Sequence, residues 1–129
     1  MEFSTLKTEP TLEKEGVWKK YDDAEFRIAG VNSPAYQRAL RRHGSGITSS
    51  KLKNDPAVQD KLLIEAMADA ILQEWKGNVK MNGKNLAVTR ENKIILLSIP
   101  IFRNWVAEQM QEIENFQAEK AAEEDAAAK

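Results

Sequence analysis

Cysteine is absent from this 129-residue chain, histidine occurs once and proline four times. Without cysteine there is no disulfide framework, no thiol nucleophile and no cysteine-ligated zinc or iron–sulfur centre. Long apolar runs are missing too. The longest candidate, 94–102, is interrupted by Ser98 and Pro100 and falls well short of the ~20 residues that cross a bilayer. The opening MEFSTLKTEP has no basic stretch followed by an apolar core, so no signal peptide is expected. Net charge is close to zero, at −1, where a domain built on binding nucleic acid usually carries a basic excess. A soluble cytoplasmic protein is the expectation.

What the chain does have is unevenly placed. Residues 17–55 carry eight basic and four acidic side chains, a net +4, whereas 1–16 and 117–129 each carry −2. The length predicts one domain, large enough to bury roughly two-thirds of its unfolded surface without a metal. We place that domain at 17–116, between a flexible arm (1–16) and a charged, alanine-rich tail (117–129). The predicted class is α+β, mainly α, with an N-terminal β-hairpin followed by three to four helices.

The hairpin is read over 17–28. VWKKY and AEFRI flank Asp22-Asp23, and a two-residue loop would pair Val17 with Ile28 and Tyr21 with Ala24. Val17, Tyr21, Ala24, Phe26 and Ile28 then share a face broken only by Lys19. The other face gains a Lys20–Glu25 pair and sets Arg27 beside Trp18. Asp-Asp is a poorer turn than Asp-Gly, so a longer loop with shifted register stays open.

Two cap-plus-proline signatures follow, Asn32-Ser33-Pro34 and Asp55-Pro56, and predict helices near 34–42 and 56–76. Between them 47–54 reads as polar loop. The second helix is drawn to residue 76 because Val58, Leu62, Met67, Ile71, Leu72 and Trp75 keep helical spacing and Gly77 looks like its stop. Asn82-Gly83 marks a tight turn or short hairpin. Thr89-Arg90-Glu91 caps a helix near 90–98. Pro100 opens another over 100–116, with Phe102, Trp105, Val106, Gln109, Met110, Ile113 and Phe116 on one stripe. The tail beyond lacks a face to bury, so fraying is expected there even if the helix continues.

Little of this is catalytic. His43 follows Arg41-Arg42 at a helix end, where a cation interacts favourably with the dipole. No serine sits in a nucleophile elbow and no glycine-rich loop has phosphate-cradle spacing. No enzyme activity, metal or cofactor is expected. Arg38, Arg41, Arg42, Lys51 and Lys53 form the one basic cluster, suited to phosphates or an acidic surface but more simply a solvated face.

The order Trp75-Lys76-Gly77, Asn82-Gly83-Lys84, Thr89-Arg90-Glu91-Asn92, Leu97 and the Trp105–Phe116 helix resembles the tail assembly chaperones of long-tailed bacteriophages. The N-terminal half is similar as well, with its tryptophan-containing strand and Ser33-Pro34 opening a helix that holds Tyr36. The resemblance spans roughly 17–120. It implies a non-enzymatic protein of the host cytoplasm, absent from the mature virion, that coats the tape measure protein and helps recruit tail tube protein. It also implies self-association and, in many members, a longer form made by frameshifting. A groove between the 56–76 and 100–116 helices would receive the partner, with Ile99, Ile101, Phe102, Met110 and Phe116 as contacts. The alternatives are a small nucleic-acid-binding phage regulator using 38–53, or a structural connector or terminator protein of the virion. Nucleic acid and membrane are not expected partners.

Overall fold

Val17–Tyr21 (β1) and Ala24–Ile28 (β2) pair in antiparallel fashion around Asp22-Asp23, in the register read from the sequence. Asp22 takes φ +57°, the left-handed region that Asp tolerates better than most residues. The computed structural model describes residues 16–127, so the predicted arm before Gly16 and the last two residues lie outside the described set. The class is α+β, an N-terminal hairpin followed by helices, with a third strand set among them. The helices are α1 (Pro34–Gly44), α2 (Ser49–Asn54), α3 (Pro56–Ala70), α4 (Arg90–Leu97) and α5 (Pro100–Ala127).

The predicted 56–76 helix requires correction. It stops at Ala70, and Leu72–Gly77 is a strand, β3, that pairs antiparallel with β2. The helical spacing was a bulge. Phe26 lies opposite Trp75 and Ile28 opposite Leu72, with the register shifting between Arg27 and Ile28. The extra residue, Gln73, sets Leu72 and Trp75 three apart on one face, where an unbroken strand would need two or four. Phe26, Ile28, Leu72 and Trp75 are accordingly all buried.

The third strand also replaces the ion pair expected across the hairpin. Glu25 pairs with Lys76 (3.1 Å), not Lys20, and Arg27 pairs with Glu74 (3.4 Å). Each partner lies directly opposite on β3. Trp18 is covered by Lys76, whose Nζ sits 4.3 Å from the ring centroid, in place of Arg27.

The cap signals hold. Ser33 Oγ accepts from the Tyr36 N–H (3.4 Å), Asp55 Oδ1 from Ala57 (3.1 Å), and Thr89 Oγ1 from Asn92 (3.1 Å). Segment 47–54, expected as loop, contains the one-and-a-half-turn α2, capped by Thr48. Asn82 and Gly83 take φ +53° and +79°, closing β4 (Lys80–Met81) on β5 (Lys84–Asn85). The Trp75 indole N–H donates to the Leu86 carbonyl at 3.0 Å, tying that loop to the sheet. The last helix runs to Ala127, past the predicted end at 116.

The core lies between the sheet and α5, closed by α3 and α4. Phe102, Val106, Met110 and Ile113 are buried against Ala24, Phe26, Ile28, Met67, Leu72 and Leu97. Five rings knit the sheet to α5: Tyr21 meets Trp105 at 4.8 Å and Phe26 meets Phe102 at 5.0 Å between centroids, separations typical of favourable aromatic pairs. Midway along α5, Glu114 accepts from the Asn32 backbone and side-chain N–H groups (3.2 and 3.3 Å). A Cβ at Gly30 would collide with that carboxylate, so glycine permits the contact.

Candidate interaction surface

Pro100 cannot continue α4, so the chain turns there and the residues beside it are forced outward. Ile99 is 37% exposed and Ile101 71%. Between this corner and the end of the sheet opens a groove of about 250 Å³. Phe26, Leu96 and Phe102 lie along it, and Ile99 and Ile101 line it with the Asp22-Asp23 turn. Ile95 and Val88 are further exposed apolar residues, on and before α4. Scattered exposed aliphatics are ordinary, but several beside an apolar groove suit recognition of another chain.

The predicted contacts divide. Ile99, Ile101 and Phe116 (64% exposed) are available at the surface, whereas Phe102 and Met110 are core residues, 6% and 4% exposed. The reason is the sheet. With β3 in place, the apolar stripe of α5 is needed to cover it, so little of that stripe is spare. The groove therefore lies at the α4–α5 corner against the sheet, not between the 56–76 and 100–116 segments.

The basic residues are dispersed. Arg42 is committed to Asp69 (3.0 Å). Arg38 lines a cleft with Lys93 and Ser33, Lys51 lines a different one with Lys61, and Arg41 and Lys53 lie on exposed surface. Burial lowers the Lys93 pKa, against the opposing pull of Asp69 and Glu74.

One polar centre went unread in the sequence. The Asp69 carboxylate receives Arg90 Nε at 2.7 Å, Arg42 Nη2 at 3.0 Å and His43 Nε2 at 2.5 Å, while His43 Nδ1 lies 3.3 Å from Glu65. Desolvation raises the Asp69 pKa, but hydrogen bonds from Arg90, His43 and Arg42 outweigh it and hold the group at about 2. This ties α1 and α4 to α3. The only local signal was Glu65 and Asp69 at i, i+4 on one helix face; their partners come from elsewhere in the chain. Among the described residues, no three or more His, Cys, Asp or Glu side chains gather as a metal site requires. Nor is any helix there long and apolar enough to cross a membrane.

Residues 31–129 match the model of the YdaY prophage protein family. The chain belongs to that family. Its phage origin follows. Within the YdaY match lie all five helices, β3 and the Ile99–Ile101 corner, while β1 and β2 precede it. Neither a curated protein nor a solved structure matches the chain.

Proposed function

We propose that this YdaY-family protein is a tail assembly chaperone, a stoichiometric binder that keeps the tape measure protein soluble and helps bring tail tube subunits to it. The apolar groove with Ile99 and Ile101 at its edge is the observation that carries the reading. A tape measure chain presents apolar helical stripes, and a groove of this kind covers such a stripe side chain by side chain. Many copies along one long chain add avidity, so each contact is weak enough to release. Phage origin and the order of turn and cap motifs over roughly 17–120 support the same reading. The protein would act in the host cytoplasm, self-associate, leave before the tail is finished, and work beside any frameshifted longer form.

The test is capture of the tagged protein from induced cells, with mass spectrometry of what is retained. We expect a very long helical phage protein, lost in the Ile101→Asp variant. Recovery of nucleic acid alone, with binding to random duplex DNA that falls steeply with salt, would move the assignment to a regulator using Arg38, Arg41, Arg42, Lys51 and Lys53. Finding the protein in finished particles would favour a connector or terminator.

A further inference from the structure

The groove is not uniformly apolar. The Asp22-Asp23 turn lines it, and among the described residues neither aspartate forms a salt bridge. Asp23 accepts from the Asn78 side-chain amide at 3.2 Å, which fixes its place but leaves its charge uncompensated. Among the described residues, Lys80 is the one cation lining the groove, so the two carboxylates leave a net negative charge beside the apolar floor. Lys76, on the strand next to the turn's own, is engaged elsewhere, paired with Glu25 and stacked on Trp18.

We propose that the groove takes an amphipathic helical segment of the tape measure protein in which a lysine or arginine stands one turn from the apolar anchors. The anchors fill the space between Ile99, Ile101 and Phe26, and the cation meets the Asp22-Asp23 turn. The inference rests on the chaperone reading and adds the charge rule by which one segment is chosen over another. Apolar contact supplies the affinity. The aspartates supply register and reject acidic segments, because an unmatched like charge at the edge of a desolvated contact is costly.

The experiment uses the full-length protein and overlapping synthetic peptides covering the tape measure protein of the same prophage, with binding read by fluorescence anisotropy. Asp22→Asn/Asp23→Asn removes both charges while keeping the turn, because asparagine tolerates the positive φ of Asp22 at least as well as aspartate does. We expect the bound peptides to carry Lys or Arg beside their apolar residues. Changing that residue to Glu should weaken binding about 10-fold, and the double variant should bind about 5-fold more weakly with a flatter salt dependence. Peptides that bind wild type and double variant alike, with no preference for basic residues, would overturn the charge rule and leave the chaperone reading standing. If no tape measure peptide binds, or Ile101→Asp binds as wild type does, the groove reading falls and the charge rule with it.

Discussion

Asp69 shows how one side chain organises three helices. Its neighbours favour the ionised form, so its folded pKa, at about 2, lies below the ordinary carboxyl value of 3.8. A depressed carboxyl pKa stabilises the fold above the unfolded value, and that contribution is lost as pH falls from about 4 through 2. Arg42 and Arg90 reach it from the surface, so screening reduces the effect to roughly 1 kcal/mol. Asp69→Asn should therefore lower the urea midpoint at pH 6, and the gap from wild type should close as both are titrated toward pH 2. Equal midpoints at pH 6 would mean that the network is ornamental. Little of this centre is legible in the sequence beyond the Glu65–Asp69 spacing, because the residues that meet there come from 42–43, 65, 69 and 90. The capping residues, by contrast, were plain: Ser33, Asp55 and Thr89 each act on a backbone N–H within three residues, and short-range chemistry is what a sequence records.

At the scale of elements the same distinction separates the two hairpin strands from β3. Val17–Ile28 has its pattern, its turn and its partner all within twelve residues, so even the register could be written down beforehand. β3 has its partner more than forty residues away and its alternation broken by a bulge. Locally, 71–76 is apolar at helical spacing and follows an alanine-rich helix without an interrupting glycine or proline. Tertiary pairing wins over local propensity there, as it commonly does for strands. This predicts opposite behaviour in fragment and protein. A synthetic 56–77 peptide in a helix-promoting solvent should show helical Cα chemical shifts through residue 75, whereas the intact chain should show extended shifts and slow amide exchange over 72–77. Helical shifts there in the intact chain would refute the bulged strand. Recognising β3 also explains why only part of the predicted contact set is exposed: a strand that presents Leu72 and Trp75 to α5 consumes Phe102 and Met110.

For the whole molecule, the site is the remainder after the core is satisfied. The amphipathic stripe of α5 was legible, but its division into covered and uncovered parts was not, since that depends on how much sheet lies beneath it. The sheet in turn joins segments on both sides of residue 31, where the family match begins. We expect a fragment restricted to 31–129 to remain largely unfolded by near-ultraviolet circular dichroism, because β3 would lose β2, the strand it pairs with. Phe102 would also lose Phe26 and Tyr21. A cooperative thermal transition in that fragment would show instead that the hairpin is dispensable.

β2 is the middle strand, flanked by β1 and β3, and its two edges are filled on different schedules. The β1 edge closes within a hairpin, an event of microseconds. The other edge must wait while a loop of about 40 residues, holding three helices, is drawn shut. During that interval a newly made chain presents an unpaired strand edge flanked by Phe26 and Ile28. When many copies are synthesised at once, β3 of a neighbouring chain competes for the vacancy, so rapid local folding of α1 and α3 protects each copy from exchanging strands with the next.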